Sequence, residues 1–166
     1  MKRREFGIAA ASAVLLGGCA TSSKFRRYDG PEVTSIVVNK GARHMYLLNE
    51  QTIIKSYDVD LGRVPMGHKQ FYGDGKTPEG LYRIDRRNPN SSYHLSVGIS
   101  YPNTADRAFA ESVGRRPGGD IFIHGQPNKG RAKGRDWTEG CIAVKNEEIE
   151  EIYAMVRTGT VIAIRA

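Results

Sequence analysis

Residues 137–146 read WTEGCIAVKN and place a cysteine between a glycine and a short apolar run. Cys141 begins that run, which has the length of a short buried strand. A second short apolar run, IFIH at 121–124, ends in a histidine and is followed by Gly125. If the two strands are neighbours, the thiol and the imidazole meet at one rim of a sheet. Cys141 is then either a buried structural residue or a nucleophile held at the start of a strand.

Further short runs of β-branched or alternating apolar residues fill the rest of the chain between turn residues. They lie at 33–38, 44–48, 52–61, 81–84, 94–99 and 160–164. Asn49, Glu50 and Gln51 predict a hairpin between the second and third of these runs. Many short strands separated by glycine, proline and asparagine turns are typical of an all-β sandwich or barrel.

Two helices are predicted between the strands. Asn146 is a suitable N-cap for the first, and acidic residues follow it in the first turn. Its apolar stripe has helical spacing and consists of Ile149, Ile152, Tyr153 and Val156. The second helix is predicted over 103–113, with Thr104 as its cap and an inner face made of Ala105, Ala108 and Phe109. The predicted fold is therefore mainly β with two flanking helices, an α+β arrangement.

The N-terminal residues have the composition of an export signal. Residues 1–6 are basic, and 7–18 are apolar or small but too few to span a bilayer stably. The segment at 16–19, LGGC, resembles a bacterial lipobox, in which the cysteine becomes the lipidated first residue of the mature protein; a secretory signal without lipidation is the alternative. Arg3 and Arg4 also resemble part of a twin-arginine signal. We predict a lipoprotein-type signal peptide at 1–19 with Cys19 lipidated.

The signal peptide predicts the rest of the organisation and the compartment. Residues 20–32 are polar and basic and are expected to form a flexible tether, and 33–166 have the size of one domain. The expected location is the cell envelope, in the periplasm, with a lipid anchor in the membrane. Ala20 rather than an aspartate follows Cys19, which favours the outer membrane.

The charge and the cysteine count narrow the function. The formal net charge is +7, which fits an anionic partner, and export makes nucleic acid an unsuitable one. Membrane surfaces and cell-wall polymers that carry carboxylates remain as candidate anionic partners. If Cys19 carries a lipid, Cys141 is a free thiol in an oxidising compartment, and a free thiol there is a liability unless it is buried or used.

The residues around Cys141 resemble a known family. His124-Gly125, a loop, and then Thr138-Glu139-Gly140-Cys141-Ile142 are similar to the active-site motif of the L,D-transpeptidase catalytic domain (YkuD-like) family. The run TPEG at 77–80 resembles the strand entry of that family. The run YPN at 101–103 is similar to a subgroup that includes murein L,D-transpeptidases and relatives that cut peptides off the wall. The resemblance covers roughly 33–165.

The resemblance implies an L,D-transpeptidase-type β-sandwich or barrel and a cysteine enzyme that acts on peptidoglycan stem peptides. Cys141 would attack the carbonyl of the third stem residue, usually a diamino acid, and release D-alanine, with His124 as base and then acid. The acyl-enzyme would pass to an amine or to water. Gly140 would leave room for backbone N–H groups to face the oxyanion, and Thr138 would shape the turn or bind substrate. Gly125 and Ile142 complete the motif.

Two departures from the family pattern affect substrate recognition. Many members carry histidine where this chain has Glu139, and many carry arginine where it has Ala143. The basic loop at 129–135 could supply the missing charge or could be a solvated loop. The candidate substrate contacts are Glu139, Trp137, Tyr101, His94 and Arg135, although core packing is the ordinary role of the aromatic ones.

Three functions stay open on the sequence. The first is a lipid-anchored L,D-transpeptidase, the second a hydrolase of the same fold, and the third a non-catalytic peptidoglycan-binding lipoprotein. The presence of both Cys141 and His124 argues against the third. The histidines have no metal-ligand spacing with Cys141, so neither a metal nor another cofactor is expected.

Overall fold

A computed structural model of the chain describes residues 23–130, 132 and 134–166. In these residues eight strands form one mixed sheet, and two helices flank it. The strands are β1 Ser35–Asn39, β2 His44–Asn49, β3 Thr52–Asp58, β4 Gly80–Asn88, β5 Ser96–Ile99, β6 Phe122–His124, β7 Ile142–Ala143 and β8 Val161–Arg165. The helices are α1 Thr104–Ser112 and α2 Asn146–Met155. The prediction of a mainly β fold with two helices is confirmed.

The sheet runs in the order β3-β2-β1-β8-β4-β5-β6-β7. Its pairs are antiparallel except β1 with β8 and β6 with β7, which are parallel. Helix α2 lies against β5 and β6, and its Ile149 and Ile152 are fully buried in the core. The two apolar runs around His124 and Cys141 form neighbouring strands, but because the pair is parallel, His124 lies level with Ala143 and the start of β7 is not at the same rim as the end of β6.

The hairpin between β2 and β3 forms where it was predicted, with Glu50 at a positive φ of 53°. The third strand is shorter than predicted, because β3 ends at Asp58 instead of continuing to residue 61. Beyond that point the chain leaves β2 and crosses to the other end of the sheet. Asp60 pairs there with Ala143, and residue 62 pairs with residue 138. This crossing brings the chain after β3 next to the residues around Cys141.

The strand predicted at 94–99 begins only at Ser96, because His94 has a positive φ of 70° that a strand does not accommodate. Helix α2 has Lys145 rather than Asn146 at its N-cap position. The Asn146 side chain instead accepts a hydrogen bond from the Gln126 backbone N–H at 2.8 Å. The start of α2 is thereby tied to the chain that follows β6.

Helix α1 differs from its prediction in its cap and in its inner face. Asn103 is the N-cap, since its side chain accepts a hydrogen bond from the Asp106 N–H at 3.0 Å and the Asp106 carboxylate accepts one from the Asn103 N–H at 2.9 Å. Ala110 is the buried residue of the helix. The predicted inner face of Ala105, Ala108 and Phe109 is exposed. The helix covers a neighbouring loop instead of the core, and Phe109 stacks on Phe71 at 6.0 Å.

Part of the segment predicted as a tether packs on the domain. Lys24 Nζ donates a hydrogen bond to the Pro89 carbonyl at 2.7 Å. Arg26 lies 2.9 Å from Glu150 and 3.3 Å from Glu151, both on α2. Residues 1–22, including the predicted signal peptide and Cys19, lie outside the described residues. Within the described part of the chain, no helix combines the length and apolar character needed to cross a membrane.

Candidate active site

His124 ends β6 with its imidazole almost fully buried, at 3% exposure. Its Nδ1 lies 2.7 Å from the Gly125 carbonyl oxygen. A carbonyl oxygen only accepts hydrogen bonds, so Nδ1 carries the proton and, in the neutral ring, Nε2 is left as a proton acceptor. The backbone next to the histidine therefore sets the tautomer that a base requires.

Two aromatic rings hold the imidazole of His124 in place. The Tyr93 ring centroid lies 4.5 Å away and that of Trp137 lies 5.6 Å away. Burial lowers the pKa of His124, and the hydrogen bond to Gly125 opposes this effect only in part. The imidazole is therefore held in its neutral form near pH 7.

Cys141 lies directly before β7 and beside the start of β6. Its Sγ accepts a hydrogen bond from the Phe122 N–H at 3.4 Å and is 3.5 Å from the Asp120 carbonyl. Burial raises the pKa of the Cys141 thiol, and the Phe122 N–H and the ammonium of Lys69 lower it only in part. The thiol is therefore mostly protonated near pH 7 and needs a base to become a nucleophile.

Cys141 and His124 line one small cavity of about 270 Å³, although the register of the parallel pair places His124 level with Ala143 rather than with Cys141. Among the described residues, no hydrogen bond joins the imidazole to the thiol. Catalytic hydrogen bonds are often long or absent without substrate and shorten in its presence. The arrangement is thus a neutral thiol and a neutral imidazole that share one small space.

The turn before Cys141 is fixed by Thr138. The hydroxyl of Thr138 donates to the Cys141 carbonyl at 2.7 Å and accepts from the Gly140 N–H at 3.1 Å. Of the two predicted roles for Thr138, shaping the turn is the one that its contacts support. The Gly140 N–H is occupied, whereas the N–H groups of Glu139 and Cys141 have no acceptor among the described residues, and that of Cys141 is the one next to the thiol.

Gly140 and Gly125 are both required by close backbone contacts. Gly140 has a φ of 129°, and a Cβ there would come within 2.5 Å of the Lys76 carbonyl oxygen. A Cβ on Gly125 would come within 2.6 Å of the Asn146 side chain. Ile142 is fully buried in the core, so it anchors β7 instead of contacting a ligand.

Cys141 also lines a larger cavity, the basic groove, of about 840 Å³. One wall is the lid segment, residues 101–120, which contains α1, and the other is the loop at 63–73. The cationic residues that line the groove are Arg63, Lys69, Arg107 and Arg116. Sequence reasoning missed this groove, since its charges come from separate segments that no local pattern connects.

Of the predicted substrate contacts, Glu139 lies on the basic groove. Its carboxylate forms an exposed ion pair with Arg63 at 2.6 Å. Trp137 packs on His124, and its buried indole Nε1 has no hydrogen-bond partner among the described residues. Tyr101 was predicted to contact substrate, but its side chain is buried. Its hydroxyl donates a hydrogen bond to the Pro117 carbonyl at 2.9 Å, so Tyr101 stabilises the lid segment.

His94 and Arg135 make contacts with other parts of the domain, and their predicted contacts with substrate stay predictions. His94 Nε2 lies 2.8 Å from a carboxylate oxygen of Glu150 on α2. Arg135 lines a separate cleft of about 320 Å³ together with acidic residues such as Asp58 and Glu148. Neither residue lines a cavity that contains Cys141.

Comparison with known proteins agrees with this geometry. A family model described as the L,D-transpeptidase catalytic domain, YkuD, matches residues 34–164. The chain belongs to this family. The short strands β6 and β7 of this L,D-transpeptidase domain carry the His-Gly and Gly-Cys elements on which the sequence resemblance was based.

Individual relatives of this L,D-transpeptidase domain come from several bacteria. It is 32% identical over 112 residues to YafK of Escherichia coli, a protein provisionally named as an L,D-transpeptidase, with 66% of this chain and 39% of that protein covered. It resembles the helical cell shape determining protein Pgp2 of Campylobacter jejuni, with 26% identity, a TM-score of 0.61 and coverage of 81% and 51%. L,D-transpeptidase 1 of Mycobacterium tuberculosis shares the fold at 13% identity, with a TM-score of 0.53 and coverage of 81% and 62%. The chain thus spans well under half of its curated relative and about half of the Campylobacter protein.

Proposed function

We propose that this L,D-transpeptidase domain transfers acyl groups of peptidoglycan stem peptides, with Cys141 as the nucleophile and His124 as the base. The observation that carries the proposal is the juxtaposition of the two side chains. They line one cavity, and the Gly125 carbonyl holds the proton of His124 on Nδ1, which leaves Nε2 to accept another. Family membership supplies the substrate class.

In the first step His124 Nε2 takes the proton of the Cys141 thiol, and Sγ attacks the carbonyl carbon of the third stem residue. A carbon–sulfur bond forms, and the carbonyl oxygen becomes an oxyanion beside the Cys141 N–H. The carbon–nitrogen bond then breaks, His124 returns the proton to the leaving D-alanine amine, and a thioester remains.

In the second step a nucleophile attacks the thioester and gives up its proton through His124, and the thiol is restored. An amine of another stem gives a crosslink, whereas water gives a shortened stem peptide. The cavity shared by Cys141 and His124, of about 270 Å³, is open to solvent, so an amine and a water molecule can both reach a thioester formed there.

The cellular setting belongs to the same proposal. The signal-like residues 1–19 support export to the periplasm, and Cys19 would carry the lipid that anchors the chain to a membrane. The Campylobacter relative is described as determining helical cell shape, which supports a role of this chain in shaping the wall. Mass spectrometry of the N-terminal peptide of the mature protein tests the anchor, since an unmodified Cys19 would contradict it.

The deciding experiment incubates the full chain, purified in detergent, with a disaccharide tetrapeptide from peptidoglycan, beside the Cys141→Ala variant. Loss of D-alanine with formation of a crosslinked dimer is the expected result for a transferase. Loss of D-alanine that yields only tripeptide, even when an amine acceptor is supplied, identifies the hydrolase. No product and no carbapenem adduct on Cys141 would contradict both and leave a binding role.

A further inference from the structure

The charges of the basic groove are unevenly paired. The Lys69 ammonium lies 2.8 Å from Asp74, and Arg63 is paired with Glu139. The other carboxylate of the groove, Asp120, lies 3.3 Å from an arginine at position 86. The two remaining cations, Arg107 and Arg116, have no carboxylate partner among the described residues. Both belong to the lid segment.

Lys69 is accounted for by its structural role. Its side chain is only 4% exposed, and it donates to Asp74 and to the Phe71 carbonyl at 3.1 Å. Burial alone would raise the pKa of Asp74, but the bond from Lys69 and three backbone N–H groups outweigh it and lower that pKa. This closed ion pair stabilises the loop opposite the lid and leaves little charge for a ligand.

Arg116 is exposed but positioned. Its guanidinium lies over the Tyr72 ring, 5.5 Å from the centroid. Its carbonyl accepts a hydrogen bond from the Tyr72 N–H at 2.8 Å, and the next residue, Pro117, is held by Tyr101. Stacking on a ring occupies the face of a guanidinium and leaves its N–H edge for a planar anion such as a carboxylate.

Many family members carry an arginine two residues after the cysteine, but this chain has Ala143 at that position. Ala143 is buried, and Arg135 lines a different cleft. The small cavity that Cys141 shares with His124 is lined by no lysine or arginine among the described residues, whereas the basic groove is. Arg86, whose charge also reaches the thiol, is paired with Asp85 and Asp120. Arg107 lines the same groove. One of its guanidinium N–H groups donates a hydrogen bond to the Pro102 carbonyl, and its other N–H groups are left to bind a ligand.

We propose that Arg116, assisted by Arg107, forms a binding site for a carboxylate of the peptide donor, in the basic groove that Cys141 also lines. The site deepens the proposed function and rests on it for the identity of the donor. A stem tetrapeptide carries one such carboxylate at its C-terminus and, where the diamino acid is diaminopimelate, another at the end of that side chain. Both candidates are carboxylates, and both lie within about ten ångströms of the scissile carbonyl, because two residues of extended chain span no more than that.

The test measures equilibrium binding by calorimetry in the Cys141→Ala background, so that no turnover occurs. The probes are the free tetrapeptide, its C-terminal amide, and the peptide amidated on the diaminopimelate side chain. Arg116→Gln is expected to weaken binding of the free peptide about tenfold, the size of one charge-assisted hydrogen bond. The amide that lacks the recognised carboxylate is expected to bind weakly and to show no further loss with Arg116→Gln, which identifies the carboxylate.

Arg115→Gln is the matched control. Arg115 is adjacent in sequence, but its guanidinium stacks on Phe71 at 3.8 Å and it does not line the groove. The Arg115→Gln variant is expected to bind all three peptides with the same affinity as the Cys141→Ala protein. The proposal is overturned if Arg116→Gln binds the peptides with the same affinity as Arg115→Gln, or if it loses affinity equally for all three peptides. It is also overturned if none of the peptides binds to the Cys141→Ala protein.

The same materials separate this site from the proposed reaction. Binding that depends on Arg116, without turnover by the protein that retains Cys141, would keep the carboxylate site and remove the transferase. Turnover that does not depend on Arg116 would support the proposed reaction and contradict the carboxylate site. In the active protein, Arg116→Gln is expected to raise KM about tenfold while kcat stays within about twofold, since the contact is made before and during reaction alike.

Discussion

At the scale of single residues, burial pushes the thiol and the imidazole toward their neutral forms. It raises the pKa of Cys141 and lowers that of His124. A resting thiolate–imidazolium pair would require the opposite shifts. In the proposed reaction the nucleophile would therefore form only as the proton moves to Nε2 in the presence of substrate, and the resting thiol would be less easily oxidised than a thiolate.

The rate of Cys141 alkylation by iodoacetamide should report this protonation state. We expect the rate to rise with pH and to reach its midpoint above about 8.5, the ordinary thiol value, because burial raises the pKa. His124→Gln should leave the midpoint on the alkaline side. A midpoint below pH 7 that disappears in His124→Gln would instead reveal a resting ion pair.

Thr138 offers a second residue-scale prediction. Thr138→Val removes a hydroxyl that serves both the Cys141 carbonyl and the Gly140 N–H. Leaving buried polar groups unpaired should lower the free energy of unfolding by about 1–3 kcal/mol, measured by urea denaturation. Thr138→Ser keeps the hydroxyl and should lose much less. Equal losses in the two variants would mean that the methyl group, not the hydroxyl, stabilises the turn.

At the scale of elements, local pattern predicts the strands better than it predicts the lid segment. Alternating and β-branched residues identify each of the eight described strands, including β3, which is mostly exposed, and β5, which is buried on both faces. The inner face of α1 was mispredicted because this helix packs on the loop that carries Phe71, and its apolar Phe109 contacts that loop at the surface. A hydrophobic residue on a helix indicates a contact but does not say whether the partner is the core.

The cap of α1 gives an element-scale test of the same point. Asn103→Ala should lower the free energy of unfolding by about 1 kcal/mol, since the side chain caps the Asp106 N–H. Thr104→Ala, at the position predicted from sequence, should change it by much less because residue 104 is already inside the helix. Urea denaturation of both variants measures the difference. A larger loss for Thr104→Ala would show that the cap lies one residue later.

At the scale of the whole molecule, the neighbouring strands that carry His124 and Cys141 were predictable and the groove was not. His124 and Cys141 each follow a local signal, an apolar run with a glycine beside it, and β6 pairs with β7. Arg63 and Arg116 line one groove only because of the crossing after β3 and the fold of the lid segment. Such a meeting depends on tertiary packing that no window of sequence contains.

The pH dependence of global stability follows from the burial of His124. A lowered pKa means that, as pH falls below the ordinary histidine value of about 6.5, the unfolded chain binds a proton that the folded protein excludes. The unfolded state then holds more protons, so the free energy of unfolding falls as pH falls through this window. Carboxylates whose folded pKa is lowered, such as that of Asp74, change the free energy of unfolding at more acidic pH.

His124→Gln isolates this contribution from the other histidines of the chain. Glutamine does not titrate, so the stability difference between the parent and His124→Gln should shift against the parent as pH is lowered from 8 to 5.5. Urea denaturation at several pH values measures both proteins, and the terms they share cancel in the difference. A difference that stays constant over this range would mean that His124 is as readily protonated in the folded protein as in the unfolded chain. It would then also be a poor candidate for a base that waits in its neutral form beside Cys141.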